Sequence, residues 1–405
     1  MIQRPRLRYL NIDFDLRLGG YDTTQRSRSI AEGTLYYALT GYARDKAILE
    51  VEPSPAWYDY LNQCGVEFAS PPSRADKAKG CTASPWGWNR SAVQVYSSLQ
   101  ADIQHPPLDA VRRANSRLFS YTIAGKYDLG VPDTIHFTDT KALTAYLSRA
   151  RNHPHVIKTS HGHAGMGFRH VSPGCAQEPI LGSLPQQGDF FVEPWLKRRE
   201  DFSVRYDLDT TGGIRDLSLH ETQNNSAGVF YGIYLDPHQR RLQPWRERMI
   251  RTAHIVARQL HAIGYFGPVG IDALVYTNSA GNPQLASLLE INARDTMSSI
   301  ACALRDKLHA RDRHCLLMLA PHKRYTMPGD PAQFISKLGA AHYAPGRQSG
   351  IFLFTPLSYE HRSQAYTPTR HGFFMIGNSR GEVFRLDELV RRTFAKRSTS
   401  HAASG

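Results

Sequence analysis

The segment Ser287–Met297, SLLEINARDTM, ends an apolar run with Glu290, Asn292 and Arg294, each two residues from the next. In an extended strand, side chains two apart share a face. A buried carboxylate is costly unless it is paired or holds a metal. A second acid arrives from the strand before. GPVGIDALVY and PQLASLLEIN read as a hairpin turning near Ala280-Gly281-Asn282, and counting back from that turn sets Asp272 opposite Leu289 and Glu290. Asp272, Glu290 and Asn292 would then converge on one wet end of a sheet. Oxygen ligands of this kind, two of them anionic, suit Mg²⁺, a hard cation that leaves positions for phosphate oxygens. Any one of these residues alone reads as an ordinary polar strand end. Three together, bracketed by apolar neighbours, favour the metal. Arg294 either pairs with the acids or holds a transferring phosphoryl group or a substrate carboxylate.

Two further stretches carry chemistry. In HVIKTSHGHAGMG, Lys158 closes a strand and is followed by Gly162, Gly165 and Gly167. Glycines let backbone N–H groups approach an anion, and Lys158 would neutralise phosphate charge. No GK[ST] precedes a helix, so this is not a Walker A loop. His161 and His163 lie in the same loop and read first as solvent-facing histidines, with a phosphate or substrate contact as the alternative. In FFVEPWLKRREDFSV, Pro194 breaks a strand between Glu193 and Asp201. The freed backbone there can meet an adenine edge, and an acid can bind ribose hydroxyls. Taken alone, this stretch is a loop. His220, Gln223 and Asn224 end a strand that should face the same ligand.

The elements that position these residues alternate strand and helix, as in an open α/β layer. Residues 6–18 read as a strand, 28–40 as a helix, 47–51 as a strand and 55–65 as a helix ended by Gly65. A loop over 71–88 precedes a helix beginning at Ser91, and a first domain ends near Pro106-Pro107. A long helix is expected from Leu108 to Gly130, then a strand at 131–137 and a helix at 141–152. The Gly-rich hairpin, the strand-break at Pro194, a hairpin over 201–223, an amphipathic helix at 245–265 and the acid-bearing hairpin follow. Another helix starts at Asp295. Beyond residue 330 the readable features are the strands GIFLFTP and GFFMIGN and a helix at LDELVRR.

The chain has 405 residues, 41% of them hydrophobic, which suits two or three globular domains. No run is apolar enough for a membrane span, and MIQRPRLRYLNIDF lacks the apolar core of a signal peptide. The five cysteines are widely spaced with no CxxC pair, which favours a reducing compartment, the cytoplasm, over a disulfide framework or zinc. The net charge of +13 comes from scattered short clusters such as Lys197-Arg198-Arg199. Without a basic arm or an aromatic-interleaved stripe, a nucleic-acid partner is disfavoured against an ordinary solvated surface.

Together these stretches resemble the ATP-grasp superfamily, in its carboxylate–amine ligase branch. VIKTSHGHAGMG resembles the family's strand lysine and flap, FVEPWL with DFSV its adenine hinge and ribose acid. GPVGIDALVY and LLEINARDTM resemble its paired metal strands, with the pattern D, then E-x-N-x-R. NSRLFSYTIAGKYDLGVP resembles the segment of its first basic anchor. The N-terminal block, with LGG and PWGW, is similar to the Rossmann-like pre-ATP-grasp α/β domain. The likeness covers about residues 6–310.

The resemblance implies an α/β (α+β) fold: a pre-ATP-grasp domain at 1–107, then an ATP-grasp domain at 108–325 whose two α+β subdomains clasp ATP. The smaller, flap-bearing subdomain would span 108–196 and the metal-bearing one 197–325. An α+β extension would follow at 326–393, and 394–405 would be a disordered tail. It implies that Arg117, Lys158 and the flap glycines meet ATP phosphates, that Glu193 and the backbone of Trp195 and Leu196 meet adenine, and that Asp201 meets ribose. Asp272, Glu290 and Asn292 would carry Mg²⁺, as two ions or with Mn²⁺ in substitution, and Arg294 and Lys158 would act at the reacting phosphoryl group.

Three positions depart from the family pattern. Arg117 stands where Lys is usual, Asp201 where Glu is common (Glu200 being an alternative), and Ser298 where Gly often follows. The implied reaction is ATP-dependent amide or peptide bond formation between a small-molecule carboxylate and an amine. An ATP-grasp kinase and a non-catalytic basic ATP-binding protein are the alternatives. A homodimer is allowed but not specified.

Overall fold

The computed structural model describes residues 4–23, 27–71, 78–149, 154–162, 168–173 and 186–396, together with 182 and 184. His163, Gly165 and Gly167, and the tail beyond 396, lie outside the described residues. The chain begins with a parallel sheet of order β2-β1-β4, built from β1 (Arg6–Tyr9), β2 (Lys46–Ala47) and β4 (Thr82–Pro85). Parallel neighbours need crossovers, and α2 (Ser27–Ala38) supplies the one between β1 and β2. Two short strands correct the sequence reading. The expected strand over 6–18 stops at Tyr9, and a short helix, α1 (Phe14–Leu18), follows. Asn11 ends the ladder by bonding the backbone of Gly87 on both sides, donating through Nδ2 at 2.8 Å and accepting through Oδ1 at 3.2 Å. Phe14 lies so close to Gly87 that a Cβ there would come within 2.6 Å of its ring. The expected strand over 47–51 is reduced to the ladder at Lys46–Ala47. Next come the strand β3 (Glu52–Pro53) and the helices α3 (Pro55–Gln63) and α4 (Arg90–Ser98).

The long helix expected from Leu108 is two helices, α5 (Leu108–Ala114) and α6 (Arg117–Tyr127). Ser116 breaks it by capping α6, accepting a hydrogen bond from Phe119 N at 3.2 Å. The helix ends before Gly130 because Asp128 takes a left-handed conformation at φ 52°.

A second sheet, antiparallel and of order β5-β8-β6-β7, follows: β5 (Ile135–Asp139), β6 (His155–Thr159), β7 (Phe168–Val171) and β8 (Gln187–Pro194). With α7 (Thr140–Arg149) it buries its own small core of Leu143, Leu147, Ile157, Phe190 and Val192.

The main sheet is antiparallel, eight strands in the order β13-β12-β9-β10-β11-β14-β18-β15. Its strands are β9 (Lys197–Leu208), β10 (Ile214–Asn224), β11 (Phe230–Leu235), β12 (Gly267–Thr277), β13 (Pro283–Asn292), β14 (His314–Pro321), β15 (Gly350–Leu353) and β18 (Arg370–Gly377). The sequence reading missed β11 and β14. The C-terminal region beyond 330 is therefore woven into this sheet through β15 and β18.

Four helices accompany the main sheet: α8 (Arg246–Ala262), α9 (Met297–Lys307), α10 (Pro331–Leu338) and α11 (Arg380–Phe394). The last begins well before LDELVRR, at the N-cap Ser379, which accepts from Glu382 N while Glu382 accepts from Asn378 N. The C-terminal region also grips the N-terminal block: β16 (Tyr359–His361) pairs with both β17 (Gln364–Tyr366) and β3. Leu353 N donates to Tyr60 Oη at 3.0 Å. One continuous core joins Phe14 and Tyr60 to Tyr206, Val269 and Phe352. The β5–β8 sheet keeps a core of its own. No helix among the described residues is long and apolar enough to cross a membrane.

Candidate active site

The hairpin β12–β13 sets Asp272 directly opposite Glu290, and Gly270 opposite Asn292. Cross-strand partners share a face, so the two carboxylates and the amide form one cluster. Gly270 allows this closeness, since a Cβ there would meet Thr296 Cγ2 at 2.8 Å. Between Asp272 and Leu274 the register shifts against β13, which bulges over 287–289. Bulges re-aim side chains beside functional sites.

β13 is the edge of the sheet, and its exposed N–H groups are covered by the preceding helices. Ile291 N donates to Ser120 Oγ at 3.0 Å and Ala293 N to Asn115 Oδ1 at 2.9 Å, while Leu288 N reaches Leu129 O at 3.0 Å. Asn115 thus explains why the helix breaks where it does. Its side chain is committed to β13, and the break delivers Arg117 to the first turn of α6. From there an Arg117 Nη atom lies 3.1 Å from Glu290 Oε1, another donates to Thr159 O at 2.6 Å, and Arg117 N donates to Ser160 O at 2.8 Å. Arg117 thus joins α6 to the root of the Gly-rich loop and to the acid-bearing strand β13.

Within the cluster, Asn292 Nδ2 donates to Asp272 Oδ2 at 3.0 Å, and Arg294 Nη2 donates to Asn292 Oδ1 at 2.9 Å. Burial first, and the Glu290 charge second, push Asp272 up to about 6. Burial works against the charge of Arg294, but Asp15, with Glu290 and Asp272 behind it, raises its pKa on balance. Asp15, in α1, meets Arg294 Nε at 2.8 Å, and the Trp86 ring lies under the guanidinium at 5.7 Å. Asp15 and Trp86 were not foreseen. Only LGG and PWGW marked their neighbourhood, and nothing local tells a domain-bridging acid from a surface one.

The second half of the site lies on the β5–β8 sheet. Lys158 Nζ pairs with Glu193 at 2.7 Å. A groove lined by Val131, Val156, Lys158, Glu193, Trp195 and Leu196 also touches Leu274 and Leu289 of the main sheet. Trp195 and Leu196 thus share this groove with Leu274 of β12 and Leu289 of β13. Trp195 N donates to Pro154 O at 2.8 Å, so of the backbone groups expected to meet adenine this amide is already engaged. Asp201, on β9, is bonded by Arg198, which lines the groove and lies 5.6 Å from the Trp195 ring. Glu200 is 3.6 Å from Arg241. The void in the groove is ≈30 Å³. A larger cavity of ≈380 Å³ adjoins it, sharing Val131, Glu193 and Leu289 and reaching Arg117.

The histidines divide. His161, at the root of the loop, faces Arg112 O at 3.4 Å, and burial lowers its pKa. His220 is buried opposite Ser203, itself opposite Asp272. Burial, then Arg205 and Arg305, lower it to about 3, so it is neutral. Gln223 and Asn224 end β10 at a bulge. Gly162 follows β6 at the start of the loop.

Among the described residues no group of three or more His, Cys, Asp or Glu side chains gathers as a metal site. The donors that do gather are the Asp272 and Glu290 carboxylates beside the Asn292 amide, whose nitrogen faces Asp272 and whose oxygen accepts from Arg294. That set suits a hard divalent cation completing its shell with water or phosphate oxygens, and it is poor for zinc. Burial and then the Glu290 charge disfavour ionised Asp272, and a bound cation would offset both. The residues therefore fit the ion.

No protein-family model matches the chain, and no curated protein matches its sequence. Solved structures do match. N5-carboxyaminoimidazole synthetase from Staphylococcus aureus complexed with ADP aligns at a TM-score of 0.52 and 10% identity, covering 96% of this chain and 97% of that one. Biotin carboxylase from Campylobacter jejuni in its β-γ-ATP complex aligns at 0.52 and 13%, covering 97% and 92%. Phosphoribosylamine–glycine ligase from Thermotoga maritima aligns at 0.51 and 12%, covering 96% and 97%. The shared architecture runs from the parallel N-terminal sheet to the C-terminal helix: the chain has the ATP-grasp fold.

Proposed function

We propose that the protein is an ATP-dependent ligase joining a small-molecule carboxylate to an amine through an acyl phosphate. The observation that carries this reading is the juxtaposition of facing Asp272 and Glu290, with Asn292 and Arg294, against Arg117 at the root of the Gly-rich loop. The nucleotide-bound biotin carboxylase and N5-carboxyaminoimidazole synthetase share this fold. In the reading, the base enters the groove beside Leu196. Asp201 turns from Arg198 to the ribose, and Arg117 and Lys158 exchange Glu290 and Glu193 for phosphate oxygens. In the same reading, the β5–β8 sheet, which keeps its own core, parts from the main sheet to admit the base.

A carboxylate oxygen of the substrate attacks the γ-phosphorus, and the bond to the bridging oxygen breaks as ADP leaves. The amine nitrogen then attacks the acyl carbon, the carbon–oxygen bond to phosphate breaks, and the nitrogen loses a proton. Asp272, Glu290 and Asn292 would hold Mg²⁺, as one or two ions with Mn²⁺ as a substitute, which supplies charge neutralisation at the phosphates. Arg294 stabilises charge on the transferring group and on the acyl phosphate. Catalysis is then mostly positioning, with no covalent nucleophile from the protein. Cys64, Cys81, Cys302 and Cys315 are free thiols, in keeping with a cytoplasmic enzyme.

The test is a hydroxylamine trap with Mg²⁺-ATP and pools of amino acids and small peptides, read by mass spectrometry. A hydroxamate with matching ADP is the expected result and names the carboxylate. A stable phosphorylated product with no amine requirement would replace the ligase by a kinase.

A further inference from the structure

We infer that Asp15, from the N-terminal domain, is a positioning residue for phosphoryl transfer: it fixes the guanidinium of Arg294 in the orientation the reaction uses. The inference rests on the ligase reading above and adds a residue to it from another domain. Arg294 Nε lies 2.8 and 2.9 Å from the two Asp15 oxygens, and both side chains are about nine-tenths buried. Arg294 Nη1 donates to Asp295 O at 2.9 Å and Nη2 to Asn292 Oδ1 at 2.9 Å. A guanidinium has five N–H donors in a rigid fork. Nε and one hydrogen on each Nη are thereby committed, and the other two N–H groups take no partner among the described residues. Trp86 fixes the plane of the fork from below.

The adjoining backbone is held from the same domain. Asp295 N donates to Trp86 O at 2.8 Å, and Tyr37 Oη donates to Asp295 Oδ2 at 2.6 Å. The N-terminal domain therefore does not merely abut the metal strand. It holds Arg294 through a charge, a ring and a backbone bond. After Asp15, the acids that act on Arg294 are Glu290 and Asp272, and Arg294 is already tied to their cluster through Asn292. Without Asp15 the guanidinium would turn onto them, losing its aim and competing with the cation for their oxygens. Preorganised donors act only when held where charge develops.

The experiment compares wild type with Asp15→Asn, which keeps the shape and removes the charge. ADP affinity is measured with Mg²⁺, then again with aluminium fluoride, which with ADP mimics the transferring phosphoryl group. The expected result is an ADP Kd within twofold of wild type and a loss of at least tenfold in the affinity gained from aluminium fluoride, partly restored in Asp15→Glu. Tyr60→Phe, which loosens the N-terminal domain far from the site, should lower the melting temperature and keep the gain. An unchanged gain in Asp15→Asn overturns the inference. An equal loss in Tyr60→Phe also overturns it, by making domain docking the cause. If wild type binds ADP but shows no gain, the phosphoryl-transfer reading itself fails, and the inference with it.

Discussion

Two buried acids in this molecule live in opposite circumstances. Glu32, in the N-terminal domain, is 2% exposed and surrounded by donors: Tyr359 Oη, Thr369 N at 2.8 Å, Thr369 Oγ1, and Arg28 at 3.5 Å. It ties the C-terminal region to the first domain. Asp272 has only neutral donors, Asn292 and Ser203, and faces a second carboxylate. The cations near it are already engaged, Arg117 by Glu290 and Arg294 by Asp15. A saturated acid holds a fold together. An acid buried against a like charge is the one the proposed cation would serve.

The contrast can be broken or sharpened by substitution. Glu290→Gln should lower ADP formation by on the order of 10³-fold with little change in melting temperature. Retained activity in a coupled ADP assay would remove the functional half of the comparison. Glu32→Gln should cost roughly 2–4 kcal/mol of stability, read from urea midpoints, without changing kcat of the folded protein. Asp272→Asn should do the reverse, stabilising the nucleotide-free protein by roughly 1–2 kcal/mol while abolishing its stabilisation by Mg²⁺-ATP. The sign follows from the raised pKa of Asp272. The folded state pays for the ionised acid above about pH 6 and not below about pH 4, the unfolded value. The gain, measured by thermal melting, is therefore full at pH 8 and fades through that window. Ser120→Ala, which strips the cover from Ile291 N–H, should cost about 1 kcal/mol and bring a small loss of turnover.

Legibility from sequence followed the range of the interaction. Alternation and a turn placed Asp272 against Glu290, because a hairpin's register is set within its own residues. The helices at 55–63, 246–262 and 297–307 were readable from periodicity for the same reason. The break between α5 and α6 was not, because Asn115 is spent on Ala293, far along the chain. β14 carried no polar alternation: its strand is buried on both faces, and HCLLMLAP has no period to read. Asp15 failed on the same ground as Asn115. Its partner, Arg294, is supplied by another domain.

The central claim is that the facing acids of β12 and β13 hold a divalent cation that carries the nucleotide. The most direct measurement is the ATP affinity of wild type and of the Asp272→Asn, Glu290→Gln double variant, by calorimetry with and without Mg²⁺. The account predicts that Mg²⁺ tightens ATP binding to wild type by at least tenfold and leaves the double variant unchanged. An affinity in wild type that ignores Mg²⁺, or a double variant that keeps the full effect, would contradict it.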